Sequence, residues 1–219
     1  AALGQMATQV AHEVRNPLAV LFQVTSQMRR RLGLGEDVDD LLTMVDQESR
    51  RLSRLVDDLV HFAAPLVPRI REVHLSTIVR QTIESLQSEP LERIEECVRV
   101  SPVLDDHSVL ADPILLRQAL AHLLTNACAF AGEDGHVELT AERDGERVRL
   151  KVCNSGPPLS AEVARRVFEP FFTTKAVGSG LGLAVVRRLV HEIGGPLTPA
   201  PTASYTACAD SHPLSQRSH

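Results

Sequence analysis

Two runs of helical periodicity, parted by one glycine-containing break, confine the first 66 of 219 residues to a pair of long helices. From about Ala2 to Leu32 no glycine follows Gly4, and apolar residues recur at helical spacing. At about 100° per residue, Val10, Val14, Leu18, Leu21, Met28 and Leu32 share a stripe roughly 80° wide. Gly33-Leu34-Gly35-Glu36-Asp37 interrupts the pattern, and a second helix is predicted from about Val38 to Ala64. Its Leu41, Val45, Leu52, Leu55, Val56, Leu59 and Ala63 fall on one face, and Pro65 and Pro68 end it. Two such helices form an antiparallel hairpin, but a lone hairpin cannot cover two wide apolar faces. A four-helix bundle from two copies would cover them, which predicts a homodimer through residues 1–66.

The wet side of the first helix carries reactive side chains. Within Ala11-His12-Glu13-Val14-Arg15-Asn16-Pro17, His12 lies about 160° from Val14, and Asn16 sits one turn beyond it on the same side. An imidazole there, beside Glu13, can lose its proton and act as a nucleophile. In isolation, a solvated surface histidine is the plainer reading. Pro17 cannot donate to the carbonyl of Glu13, so a kink or hinge is expected beside His12.

Composition excludes several classes. With 43% hydrophobic and 23% charged residues, the chain is an ordinary soluble globular protein, not a disordered one. A formal net charge of −5 argues against nucleic acid or an anionic membrane as the main partner. Cys97, Cys128, Cys153 and Cys208 are far apart without metal-type pairing, so reduced thiols in a cytoplasmic setting are expected. No run approaches the roughly 18 apolar residues of a membrane span, and no signal-peptide pattern is visible. The chain starts without Met, already inside a helical pattern, and is expected to be a fragment of a longer protein.

After a linker at residues 67–74 the pattern becomes mixed, making the whole an α+β chain. Helices are predicted at Leu75–Leu86, Ile114–Phe130, Ala161–Val167 and Leu181–Ile193, and strands at Cys97–Val103, Ser108–Ala111, His136–Arg143 and Arg147–Cys153. Asp112-Pro113 supplies a cap and a first-turn proline for the apolar second of these helices, and Asp144-Gly145 marks a hairpin turn.

Three places in this region suit a nucleotide. Asn126, on the apolar helix, offers a hard oxygen of the kind Mg2+ accepts, though such residues are commonly surface or capping groups. Asn154-Ser155-Gly156 ends a strand in a tight turn whose side chain can meet a base edge, or can serve as a plain connection. Phe168–Lys175 precedes Gly178-Ser179-Gly180-Leu181-Gly182-Leu183, where backbone amides at a helix start can bind an anion beside the charge of Lys175. A dinucleotide fingerprint would need a strand immediately before these glycines, and Thr173–Val177 is a poor candidate.

In this order and spacing, the motifs over about residues 3–195 resemble two-component sensor histidine kinases. His12–Pro17 resembles the H box and His122–Ala131 the N box. Asn154–Gly156 resembles the first glycine box, Phe168–Phe172 the F box and Gly178–Leu183 the second glycine box. The resemblance implies a phosphotransfer hairpin in a dimeric four-helix bundle (1–66) and an α/β-sandwich, Bergerat-type ATP-binding domain (75–195). It also implies ATP and Mg2+ as cofactors and the receiver domain of a response regulator as partner. By the same resemblance, His12 accepts the γ-phosphoryl group, Glu13 holds the imidazole tautomer, and Asn16 orients water for dephosphorylating the regulator. Asn126 takes the metal, and Asn154, Gly156, Lys175, Gly178, Gly180, Leu181 and Gly182 serve the nucleotide. The chain would be the cytoplasmic catalytic portion of a larger sensor, with neither nucleic-acid nor membrane contact of its own.

Three departures stand out. Asn154 replaces the usual Asp of the first glycine box, and Ala129 stands where the N box often has Lys, leaving Lys175 as its substitute. After Gly194-Gly195, where two closing strands would follow, Pro196, Pro199 and Pro201 interrupt the chain, so residues 196–219 are expected to form a poorly ordered tail. These departures keep open a nucleotide-binding dimeric scaffold with little or no kinase activity.

Overall fold

A computed structural model describes residues 14, 18–28, 36–63, 65–87, 94–102, 107–175, 179–200 and 204–210. Contacts divide the chain into two units, Ala1–Pro65 and Leu66–His219.

In the first unit, helix α1 (Leu18–Met28) packs beside helix α2 (Glu36–Ala63). Leu18, Leu42 and Val56 are buried between them, together with Thr25 and Ser49. Thr25 Oγ1 donates to Asp46 Oδ1 at 2.6 Å, and the Arg50 guanidinium lies 5.3 Å from the Phe22 ring centroid. Val20, Leu21, Val24 and Met28 on α1, and Leu41, Met44, Val45 and Leu52 on α2, stay exposed in the single chain. Leu21 and Met28, placed on the buried stripe by periodicity, are therefore on an uncovered side. His12, Glu13, Asn16 and Pro17, with the expected kink, lie outside the described residues.

The second unit comprises strand β1 (Arg71–His74), helix α3 (Leu75–Gln87), the short helix α4 (Ile94–Cys97) and strand β2 (Val98–Val100). Strand β3 (Ser108–Ala111), helix α5 (Pro113–Ala131), the hairpin β4 (Val137–Asp144) and β5 (Arg147–Asn154), and helix α6 (Ala161–Arg166) follow. Helix α7 (Gly182–Glu192) and strands β6 (Leu197–Ala200) and β7 (Ser204–Asp210) complete it. The main sheet runs β2-β4-β5-β7-β6, parallel between β2 and β4 and antiparallel elsewhere, while β1 and β3 pair separately. Alternating burial along β4 and β5 aims Val137, Leu139, Ala141, Val148, Leu150 and Val152 inward. A two-residue loop joins these strands, with Gly145 at φ +63° in its first position.

Helix α5 is the centre of this unit. Leu115, Leu116, Ala119, Leu120, Leu123, Leu124 and Ala127 are buried against α3, α7 and the sheet. By length and mean hydropathy α5 could cross a membrane, contrary to expectation, but central packing in the core accounts for its composition. Its start is fixed by Asp112, whose carboxylate accepts the N–H groups of Ile114 (2.8 Å), Leu115 (3.2 Å) and Arg69 (2.7 Å). Burial alone would raise the Asp112 pKa, but these three donors and Arg71 outweigh it and hold the carboxyl below its ordinary value.

Two expectations require correction. The latter half of the 67–74 linker is β1, whose Glu72 and Val73 pair with Leu110 and Val109. Within residues 196–219, Leu197–Ala200 form β6 and Ser204–Asp210 form β7. Proline does bar a strand from the sheet interior, and the order respects this. Pro199 falls in β6, the edge strand, while proline-free β7 takes the inner place between β5 and β6.

Asp112→Ala strips α5 of its cap and orphans the Arg69 N–H. The expected loss is about 2 kcal/mol, read as a lower urea midpoint, with Asp112→Asn losing less. Because the folded pKa is depressed, this contribution is present above the ordinary carboxylate range and fades as pH falls through the folded value.

Candidate nucleotide-binding site

The C-terminal half of α5 carries polar groups among its apolar ones. His122, Asn126 and Phe130 follow at four-residue intervals and so share a side of the helix. Lys175 reaches this side from a segment 49 residues away: its Nζ donates to Asn126 Oδ1 at 2.9 Å and lies 4.5 Å from the Phe130 ring centroid. Burial pushes the Lys175 pKa below its ordinary value. The amide oxygen and the ring face are the groups that compensate a partly desolvated ammonium. Ala129 is exposed and uncharged, so Lys175 brings to this turn of α5 the charge that Ala129 lacks.

The turn after β5 is locked to the same end of α5. Ser155 N–H donates to the His136 carbonyl at 2.9 Å, and His136 N–H returns a bond of 2.9 Å to Ser155 Oγ. Gly156 lies so near Phe130 that a Cβ there would stand 2.1 Å from its carbonyl oxygen and 2.8 Å from Asn154 Nδ2. Only glycine permits this approach, which brings half-buried Asn154 beside the C-terminal turn of α5.

The third segment is anchored through its backbone. Phe171 adopts φ +66°, unusual for a bulky residue, and its N–H donates to the Gly180 carbonyl at 2.9 Å. Gly180 has φ +67°, and a Cβ on it would be 2.5 Å from the Phe171 carbonyl carbon. Such strain persists only where surroundings enforce it. Here Phe168 is buried, and Arg166 both stacks on Phe172 at 4.4 Å and bonds Glu169 at 3.1 Å. Beyond Gly180, no side chain caps α7. The Gly182 Cβ position lies 3.7 Å from His122 Nδ1, so α7 begins beside His122 of α5. Burial holds His122 below its ordinary pKa and favours the neutral ring.

Asn126, Lys175, Asn154, Gly156, Gly180 and Gly182 thus gather around the C-terminal half of α5 and the start of α7. Gly178 lies outside the described residues. The Leu181 side chain is buried, so it can serve a ligand only through its backbone, and its N–H donates to Ser179 Oγ at 3.1 Å. His122, Phe130 and Phe171 also belong to the site, although no role for them was read from the sequence. The four-residue spacing from His122 to Asn126 to Phe130 was the available signal. Among the described residues no three His, Cys, Asp or Glu side chains could hold a metal. The donor suited to a hard cation is Asn126 Oδ1, which already grips the Lys175 ammonium.

The comparisons agree with this anatomy. Residues 2–65 match the His Kinase A (phospho-acceptor) domain, and residues 111–213 match the histidine kinase-, DNA gyrase B-, and HSP90-like ATPase family. The sensor histidine kinase ZraS of Escherichia coli (strain K12) is 33% identical over 200 residues, covering 91% of this chain and 43% of ZraS. Full-length ShkA in complex with AMPPNP superposes with a TM-score of 0.75 at 29% identity, covering 97% of this chain and 47% of ShkA. Histidine kinase ThkA is similar in two structures. Its catalytic domain gives a TM-score of 0.55 at 30% identity, over 65% of this chain and 95% of that one. Its complex with the response regulator protein TrrA gives 0.66 at 27%, over 98% and 63%. The chain belongs to the sensor histidine kinase family and carries that family's phospho-acceptor and ATPase domains. It spans less than half the length of ZraS.

Burial of neutral His122 gives a signed pH dependence. The unfolded chain protonates this residue near its ordinary pKa of about 6.5, before the folded chain does. Stability therefore falls as pH drops through that value toward the folded one. His122→Gln should flatten the loss, measured as urea midpoints between neutral pH and pH ~5.5.

Proposed function

We propose that this chain uses ATP to phosphorylate His12 and passes the phosphoryl group to an aspartate in a response-regulator receiver domain. The observation that carries the reading is Lys175 bonded to Asn126 over Phe130, a cation fixed at an oxygen fit for a phosphate-bound metal. The match of residues 2–65 to the phospho-acceptor domain, the ShkA complex with AMPPNP and the ThkA complex with TrrA support it.

Asn126 would hold Mg2+ through Oδ1. When bound, the metal neutralises phosphate charge and orients the γ-phosphoryl group for in-line transfer. Releasing Asn126 frees the Lys175 ammonium to follow charge developing on the transferring group. The Asn154 carboxamide oxygen accepts from the adenine amino group, as the carboxylate it replaces would. Gly178, Gly180, Gly182 and the Leu181 backbone line the phosphates, with Gly180 held on Phe171. Glu13 keeps His12 in the tautomer whose other ring nitrogen attacks.

Asn16, four residues after His12, orients water against the phosphorylated regulator and gives a second, phosphatase activity. The apolar positions left exposed on α1 and α2 are the homodimer surface of the 1–66 hairpin. A net charge of −5 speaks against nucleic acid as a partner. The setting we assign is cytoplasmic, as the catalytic portion of a larger sensor.

Incubation with labelled ATP tests the reading. Acid-labile, base-stable label that disappears in His12→Ala is expected, whereas nucleotide binding without label would favour the scaffold. Asn16→Ala should keep the label and lose regulator dephosphorylation; equal loss of both would sink its assignment. Lys175→Met should slow labelling by roughly 10²-fold with far less change in ADP affinity, and an unchanged rate would remove Lys175 from catalysis.

A further inference from the structure

At the strand end assigned above to the base, one group departs from the family pattern. Asn154 presents a carboxamide where the first glycine box ordinarily carries a carboxylate, and no residue from Val152 to Pro158 bears a charge. Asn154 closes β5 opposite Val137 of β4 and is half-buried. Its backbone is held in place, because Ser155 and His136 exchange two hydrogen bonds of 2.9 Å across the turn. The nitrogen end of the carboxamide lies toward the C-terminal turn of α5. Nδ2 stands 2.8 Å, and the Phe130 carbonyl oxygen 2.1 Å, from the Cβ position of Gly156. A side chain at 156 would collide with this amide, so glycine keeps open the space in which it turns.

We propose that the Asn154 carboxamide admits guanine as well as adenine, making guanine nucleotides a second ligand class of this site. The inference rests on the nucleotide reading given above, in which Asn154 meets the base edge. Adenine presents a donor at its 6-amino group beside an acceptor at N1, whereas guanine presents an acceptor at O6 beside a donor at N1–H. A carboxylate offers only acceptors. It satisfies the adenine amino group but sets its lone pairs against guanine O6, and a polar atom left unpaired away from water is costly. A carboxamide carries an acceptor and two donor hydrogens side by side. With Oδ1 toward position 6 it accepts from the adenine amino group and donates from Nδ2 to N1. Turned by about 180° around Cβ–Cγ, it donates to guanine O6 and accepts from N1–H. This torsion joins a tetrahedral to a planar carbon and is broad and roughly two-fold, so the exchange adds little strain. The uncharged turn 152–158 brings no carboxylate that would repel O6 in place of the missing one.

Calorimetric titration of the full chain, in Mg2+, with ADP, GDP or inorganic pyrophosphate tests this. The expected result is GDP affinity within about tenfold of that for ADP, a difference no larger than one net hydrogen bond. GDP should displace bound ADP, and both nucleotides should bind more tightly than pyrophosphate. Asn154→Asp should keep ADP binding and widen the preference for ADP over GDP to about 100-fold or more. Asn154→Ala should weaken both nucleotides alike. GDP held no more tightly than pyrophosphate while ADP binds, or an ADP-to-GDP ratio unmoved by Asn154→Asp, overturns the proposal and leaves the ATP site standing. Affinities unchanged by Asn154→Ala overturn it as well, since Asn154 would then not read the base. The comparison in the unsubstituted chain stands without either variant. Failure of that chain to bind ADP overturns the nucleotide reading and this inference together.

Discussion

A helix that must be covered on most of its circumference organises the catalytic unit. α5 presents seven buried apolar residues to α3, α7 and the sheet, so water would penalise any looser arrangement. His122 and Asn126 stand half-buried in the C-terminal half of the same helix, where Lys175 and the start of α7 meet it. The burial that stabilises the unit thereby also fixes the site. Asp112 matters for the same reason, since an offset of the first turn would rotate every later position on the helix.

Much of this was legible because it is local. Asp112-Pro113 marks the start of α5, Asp144-Gly145 turns one strand into the next, and alternation identifies β4 and β5. What escaped depends on partners distant in sequence. Arg71–His74 offers only one buried residue, Val73, and becomes a strand through β3. The proline-broken region after Gly195 becomes β6 and β7 because β5 offers an unpaired edge to a segment of modest strand preference.

The site shows the same division. Asn126, Asn154 and Lys175 were each identifiable as residue types with suitable chemistry, and the fold brings them to one end of α5. That Lys175 bonds Asn126 across 49 positions, or that Phe171 takes a left-handed backbone to meet Gly180, follows from no short-range pattern. Gly180 also has a steric duty separate from phosphate binding. The space beside Phe171 demands glycine with no ligand present.

The placement of Pro199 bears on how two copies of the chain can meet. A sheet edge invites further strands, and this sheet ends in β6 on one side and three-residue β2 on the other. Pro199 has no N–H to offer an incoming strand, and β2 is too short to template one. Edge-to-edge growth of the sheet is therefore discouraged at both ends. The same imino acid that disguised the closing strands keeps their outer edge from taking up another strand.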